Sequence, residues 1–280
     1  MIRPLNLVLS IFKVIDLSGL FVRFFFEPIF SVWIGSDKLQ FYQTLDWQSE
    51  AARFENRNLS YPDYYKNENF HGIDRGYLNE IAAITYDAVT SLACPPNETK
   101  IRQQLMSEII SQPKRILDLG CGTGTSTLML KEAYPQAKVI GLDLSPYMLV
   151  VADYKAKLAG LEIELQHGLA EDTGFEAASF DLITISMLLH ETPTHISELI
   201  IQECFRLLKP RGQLIILDGN QTKLSRADWL IKIFQEPYSQ VYAAGNVDDW
   251  AIQNGFENTG TKYVGWIHQV SQSTKPNISE

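Results

Sequence analysis

Arg115-Ile116-Leu117-Asp118-Leu119-Gly120-Cys121-Gly122-Thr123-Gly124 decides how this chain folds. It reads as a buried strand over 115–119 that closes on an acid, then a glycine-rich turn, then a helix over 124–133. Such a turn presents bare backbone amides and a carboxylate to a small polar ligand at the carboxyl end of a parallel strand. The glycines are spaced G-x-G-x-G. The dinucleotide fingerprint G-x-G-x-x-G needs its third glycine where Thr125 stands. Read alone, the loop does not choose between nucleotide cofactors.

Working outward, strand and helix keep alternating. Val139-Ile140-Gly141-Leu142-Asp143 is a second strand, and Ser145-Pro146 opens a helix with serine as cap and proline at its first position. Leu161, Ile163 and Leu165 alternate with polar residues, as in a strand near a sheet edge. Phe180 to Ile185 form a buried strand and 197–208 a helix. Lys209-Pro210-Arg211-Gly212 reads as a turn and Leu214 to Leu217 as another strand. This order predicts an α/β fold with a parallel, doubly wound sheet. Beyond residue 219 the spacing predicts helices over 225–235 and 247–254, a closing antiparallel hairpin over 262–270, and a polar, disordered tail from Ser271.

Upstream, Tyr77, Leu78, Ile81, Ile84, Ala88 and Leu92 recur at helical spacing until Pro95-Pro96 ends the run. Asn97 caps a further helix reaching Ile110. The division expected is an N-terminal helical, aromatic-rich cap over 1–94, a catalytic domain over 95–271 and a tail over 272–280.

Composition narrows the partners. The chain has 280 residues, 45% hydrophobic and 20% charged, as in ordinary globular proteins. A net charge of −9 without any basic run argues against nucleic acid, which needs a cationic stripe. Cys94, Cys121 and Cys204 are widely spaced and read as reduced thiols of a cytoplasmic protein. The first forty residues crowd Phe12, Phe21, Phe24, Phe25, Phe26, Phe30 and Trp33 together. Lys13, Asp16, Arg23 and Glu27 interrupt every run long enough to span a bilayer, which takes ~20 apolar residues, and no signal-peptide pattern is present. Residues 1–34 are therefore either helices packed as a lid or an amphipathic segment that touches a membrane surface or walls a lipophilic substrate.

Asp143 narrows the cofactor. It ends the second strand on the order of 20 residues after the glycine loop, where a carboxylate accepts the hydroxyls of a ribose. The run Asp118 to Gly124, Gly141-Leu142-Asp143-Leu144-Ser145, Ala170-Glu171-Asp172, Phe180-Asp181 and Leu208-Lys209-Pro210-Arg211-Gly212 together resemble the class I S-adenosylmethionine-dependent methyltransferases, over about residues 110–218. Among these the chain is most similar to the ubiquinone/menaquinone-type C-methyltransferases and related small-molecule enzymes. The resemblance implies a Rossmann-like, mostly parallel seven-stranded sheet and S-adenosylmethionine as cofactor. It places Asp118 near the methionine amino group, and Gly120, Cys121, Gly122 and Thr123 along the ligand. It puts Asp143 and Leu144 at the ribose, Ala170 and Glu171 at the adenine, and Ser186 and Met187 under the sulfonium. Two departures stand out: Leu169 replaces the polar residue usual before the alanine, and Arg211 replaces a glycine.

The expected partner is a small, lipophilic or aromatic acceptor. Leu188-Leu189-His190-Glu191 follows the fourth strand, where His190, and less directly Glu191, is placed to act as a base; the bland reading is that His190 only packs. Tyr65, His71 and Tyr77 lie in an aromatic segment ahead of the core and, with Tyr238 or Tyr242 beyond the fifth strand, are expected at the acceptor. No metal is expected. Asp218-Gly219-Asn220 is faintly like a metal-ligand set, but Met187 and Leu188 stand where the partner carboxylate would be. Two alternatives remain: a methylation-triggered cyclase of a prenyl-type substrate, and a catalytically idle S-adenosylmethionine-binding subunit.

Overall fold

A computed structural model describes residues 36–73, 75–94, 97–227, 229 and 235–277. The aromatic stretch 1–34 and most of the helix expected over 225–235 lie outside the described residues. The strands are β1 (Arg115–Leu119), β2 (Lys138–Asp143), β3 (Glu164–His167), β4 (Phe180–Ser186), β5 (Leu208–Gly219), β6 (Glu257–Val264) and β7 (His268–Thr274). They form one sheet in the order β3-β2-β1-β4-β5-β7-β6. The pairs from β3 to β5 are parallel, and β7 runs antiparallel to both β5 and β6. This is the expected mostly parallel, seven-stranded α/β sheet.

The helices are α1 (Ser36–Thr44), α2 (Trp47–Ala52), α3 (Asp63–Lys66), α4 (Glu80–Ala93), α5 (Glu98–Ser107), α6 (Thr125–Ala133), α7 (Pro146–Ala159), α8 (Thr194–Leu207), α9 (Gln221–Leu224), α10 (Ser239–Ala243) and α11 (Val247–Gln253). Side chains alternate across a strand, so a sheet covered on both sides is apolar at every position. In β1, Ile116 packs with Leu182, Ile215 and, from α5, Ile101 and Leu105. Its neighbours Leu117 and Leu119 pack on the other face with Ile183, Leu214 and, from α8, Ile200 and Ile201. A third core joins α1, α2 and α4 to α7 through Tyr42, Trp47, Ala83, Ile84, Val150 and Val151.

Local signals set several boundaries. Ser145 caps α7 by accepting the Met148 N–H, and Asn79 caps α4 by accepting the Ala82 N–H. Helix α4 therefore starts at Glu80, and Tyr77 and Leu78 belong to the turn before it. Helix α8 starts at Thr194, three residues earlier than the spacing predicts.

Two expectations are corrected. Lys209–Gly212 is not a plain turn but an irregular stretch at the start of β5: the register with β4 shifts after Phe180↔Leu208, and Arg211 takes φ +65°. Residues 271–274 are not a disordered tail. They complete β7, pairing with β5 from Ile216↔Ser271 to Gln213↔Thr274. Their polar side chains satisfy one another across strands, Ser271 with Thr261 and Ser273 with Thr259. Lys275 then anchors the end by donating to the carbonyls of Phe205 and Leu208.

Candidate active site

The loop after β1 folds back onto β2. Gly120, Gly122 and Gly124 take φ values of +66°, +53° and +79°, a region that costs side-chain-bearing residues roughly 1 kcal/mol or more. A Cβ on Gly124 would sit 2.9 Å from that of Ala152 in α7, so α6 and α7 could not approach as they do. The fold-back engages four of the loop's amides: the N–H groups of Gly120 and Cys121 donate to the Leu142 carbonyl, that of Gly124 to the Cys121 carbonyl, and that of Gly122 to Asp143 Oδ2 at 2.7 Å. What the loop gives the chamber above it is close backbone approach.

Gly120, Gly122, Asp143, Leu144, Ala170, Glu171 and Met187 line that chamber, together with Tyr65 and Tyr77. Asp143 accepts from Gly122 through one oxygen and from the Ser145 N–H through the other. Each oxygen keeps a second lone pair, enough for two vicinal hydroxyls. Burial pushes the Asp143 carboxyl up to about 6, against the pull of those two amides. Glu171 is engaged by the Tyr64 hydroxyl at 2.7 Å, a contact that fixes its carboxylate at the chamber rim.

Other expected cofactor residues stand behind this lining. Asp118 is the clearest case. Alternation turns it to the Ile116 face of the sheet, where Thr127 and Thr184 each donate to one of its oxygens at 2.7 Å. Each oxygen takes one of these bonds beneath the loop, and Asp118 stands behind the chamber lining rather than in it. Cys121 is buried against Gly141, Thr123 turns to Asp87, and Ser186 turns to Ser126 at 3.0 Å.

A second chamber adjoins the first, and Tyr77, Tyr86, Met187 and Glu191 line both. Met187 sits between them with φ +56°. A positive φ on a residue other than glycine, asparagine or aspartate is strained and concentrates at functional sites. Most of the second chamber is apolar, lined by Ile73, Ala82, Val89, Leu224 and Ile267. One end is polar, with His71, His190, Glu191 and Glu236.

The polar end is a connected network. His190 Nδ1 lies 2.5 Å from Asp218 Oδ1. Asp218 is fully buried and also accepts the N–H groups of Gly219, Leu188 and Leu189. Asp218 is thus filled by His190 and backbone and is not free as a metal ligand. His190 Nε2 points toward Glu191 Oε1 at 3.5 Å and Glu236 Oε1 at 3.8 Å. Burial works against charging His190, but Asp218 and Glu236 outweigh it and hold its pKa well above the ordinary imidazole range. Glu191 Oε1 accepts from Tyr77 at 2.7 Å and lies 3.1 Å from His71 Nε2. Burial opposes its ionisation too, yet His71 and His190 keep it well below the usual carboxylate range. Its other oxygen, Oε2, is buried and has no partner among the described residues. The ligand atoms of His71, Glu191 and Glu236 lie within 4.8 Å of one another, the spacing a cation would use; here they face each other and Tyr77.

Of the residues expected at the acceptor, Tyr65 lines the first chamber, His71 the second and Tyr77 both. Tyr238 reaches neither: its hydroxyl donates to the Tyr64 carbonyl at 3.0 Å, a strut between α10 and α3. Tyr242 is fully buried and donates to the Gly219 carbonyl. Sequence reasoning missed Tyr86, Glu236 and the service of Asp218 to His190. Tyr86 packs beside the α4 core as well as lining both chambers, so spacing alone gave no signal for it.

A family described as a methyltransferase domain matches residues 116–212. The chain is 41% identical over 142 residues to a demethylmenaquinone methyltransferase of Thermus thermophilus, covering 50% of this chain and 63% of that protein. It is 35% identical to one of Geobacillus stearothermophilus, covering 50% and 60%. The chain therefore spans about three fifths of the length of these relatives. Solved structures with the same fold include PigF with SAH, at TM-score 0.58 and 17% identity over 89% of this chain and 74% of that one. Human N-acetylserotonin methyltransferase in complex with SAM aligns at TM-score 0.57 and 17% identity, over 81% and 65%.

Proposed function

We propose that this chain, which carries a class I S-adenosylmethionine-dependent methyltransferase domain, moves a methyl group to a lipophilic, hydroxyl-bearing acceptor of the quinol type. The observation that carries the reading is the pair of chambers meeting at Met187, one lined by the glycine loop and Asp143, the other mostly apolar and carrying the His71, His190, Glu191 and Glu236 cluster. The names of the relatives favour a quinone-derived ring.

When bound, S-adenosylmethionine supplies an electrophilic methyl group. The residues of the chain do the rest. Asp143 holds the ribose hydroxyls, while Leu144, Ala170 and the backbone of Gly120 and Gly122 flank the nucleoside. Tyr77 and Tyr86 close the space around Met187, and their aromatic faces suit a cationic centre. The apolar wall of the second chamber orders the acceptor ring and excludes water. A buried carboxylate oxygen without a donor costs about 1–3 kcal/mol, and an acceptor hydroxyl placed on Glu191 Oε2 removes that cost. In its neutral form His190, fixed through Nδ1 by Asp218, takes on Nε2 the proton of the quinol's second hydroxyl. Its raised basicity brings it nearer a phenolic pKa of ~10 than a free imidazole.

The test is S-adenosylhomocysteine formation with a panel of naphthoquinols, benzoquinols, simple phenols and alkylamines. Turnover concentrated on the quinols supports the reading. Turnover of amines alone would overturn the acceptor class, and absence of S-adenosylmethionine binding would overturn the whole.

A further inference from the structure

Outside both chambers, three elements meet at one charged cluster. Asp87 of α4 accepts the Thr123 hydroxyl through Oδ1 at 2.5 Å and the Lys155 ammonium through Oδ2 at 2.8 Å. Lys155, from α7, also donates to the hydroxyl of Thr125, the first residue of α6, at 2.8 Å. Thr123 is the one side-chain-bearing residue between two left-handed glycines, Gly122 and Gly124, and it is 1% exposed. The two glycines bring no side chain to hold the loop, which is otherwise fixed through its backbone to Leu142 and Asp143. The hydroxyl of Thr123 ties it down, and the tie runs to α4.

Helix α4 is also a wall of the acceptor chamber. Ala82, Thr85, Val89 and Thr90 line that chamber, and Tyr86, the residue beside Asp87, lines both. Gly122 faces the Tyr86 ring: a Cβ there would lie 3.6 Å from it. A helix moves as a rigid body over this distance, so a displacement of the glycine loop reaches the acceptor wall at two adjacent residues. Lys155 keeps Asp87 ionised despite its burial, holding its carboxyl below the usual range.

We propose that Asp87, charged and oriented by Lys155, is a positioning residue that couples occupancy of the nucleoside chamber to the shape of the acceptor chamber. This rests on the methyltransferase reading above. Loading of the first chamber fixes the loop, Thr123 fixes Asp87, and α4 then closes on the second chamber. Such coupling between sites typically changes affinity or access by 5–150-fold.

Cys94 gives a readout that needs no acceptor. It lines the second chamber, is 2% exposed, and burial pushes its thiol up to about 11. Alkylation of Cys94 by N-ethylmaleimide at mildly alkaline pH, followed by peptide mass spectrometry, therefore reports opening of that chamber. In the wild-type chain, saturating S-adenosylhomocysteine is expected to slow Cys94 alkylation about fivefold or more, though it occupies the other chamber. In Asp87→Asn and in Thr123→Val, with binding of the same ligand verified by calorimetry, the protection falls below about twofold. Thr123→Ser restores it. Wild-type protection persisting in both variants, or no protection in the wild type, would overturn the coupling. A purely structural Asp87 would lower thermal stability and leave the protection intact. Failure of S-adenosylhomocysteine to bind the wild-type chain would instead overturn the methyltransferase reading, so the two failures are distinguishable.

Discussion

The N–H of Gly122 donates to Asp143 Oδ2 across 2.7 Å, so the loop that follows β1 holds the carboxylate that ends β2. The two halves of the nucleoside site are therefore one hydrogen-bonded unit. Asp143→Ala removes both the ribose acceptor and the loop's anchor. Hydrogen bonds to a charged group contribute about 1.5–3 kcal/mol each. S-adenosylhomocysteine affinity is expected to fall by roughly 10- to 100-fold or more, measured by calorimetry, with the far-ultraviolet spectrum unchanged.

The same residue sets a pH dependence of opposite sign for binding and for stability. Burial pushes the Asp143 carboxyl up to about 6, above its unfolded value of ~3.9. Its contribution to stability is thus fully present below pH ~4 and is lost as pH rises through about 6. Ribose binding needs the ionised form, so S-adenosylhomocysteine should bind roughly tenfold more weakly at pH 5 than at pH 7.5. Asp143→Asn should show a nearly flat binding curve over that range. A flat curve for the wild-type chain would contradict the assignment.

Asp218 acts through His190. Asp218→Asn leaves the shape of the site but gives Nδ1 a partner that no longer stabilises an imidazolium. Turnover is expected to fall about 100-fold or more, the scale of general base catalysis, while S-adenosylhomocysteine binding is unchanged. In the wild-type chain the raised pKa of His190 leaves only a small neutral fraction at pH 7. Rate should therefore climb with pH on the alkaline side, and the climb should shift to lower pH in Asp218→Asn.

Removal of residues 271–280 is harmless if composition decides and damaging if pairing decides. Ser271 to Thr274 pair with Gln213 to Ile216 of β5, and β7 alone connects β5 to β6. The truncation exposes the edge of β5 and its apolar neighbours. It should cost several kcal/mol of a stability that is typically 5–15 kcal/mol, seen as loss of soluble protein or a marked drop in urea midpoint.

Much of this was legible in the sequence, for identifiable reasons. The strand–glycine–helix order around Gly120 and the acid ending β2 are local patterns, and both stand where the spacing predicts. The β7 end was misread because its serines look like a tail until they pair across strands. Position in a motif does not say that Asp118 is braced by Thr127 and Thr184 behind the chamber lining. Glu236 reaches the acceptor chamber, and Asp218 reaches His190 behind it, from distant segments, which no spacing rule reveals. Tyr86 packs on the core beside Ala82 and Ala83 of α4, where helical periodicity treats a chamber wall and a core face alike.

The two chambers draw on different parts of the chain. Within the segment 116–212 that matches the methyltransferase family, the acceptor chamber takes only Met187, His190 and Glu191; its other lining residues come from 71–94 and 219–268. Divergence in those flanks can exchange one acceptor for another while the nucleoside half stays as it is only where Tyr77, Tyr86 and Asp87 are kept, since the two tyrosines line both chambers and Asp87 holds Thr123. The chain is in effect a constant reaction head fitted with an interchangeable mould, and grafting the rest of 71–94 with 219–268 from a relative would carry acceptor preference with the graft.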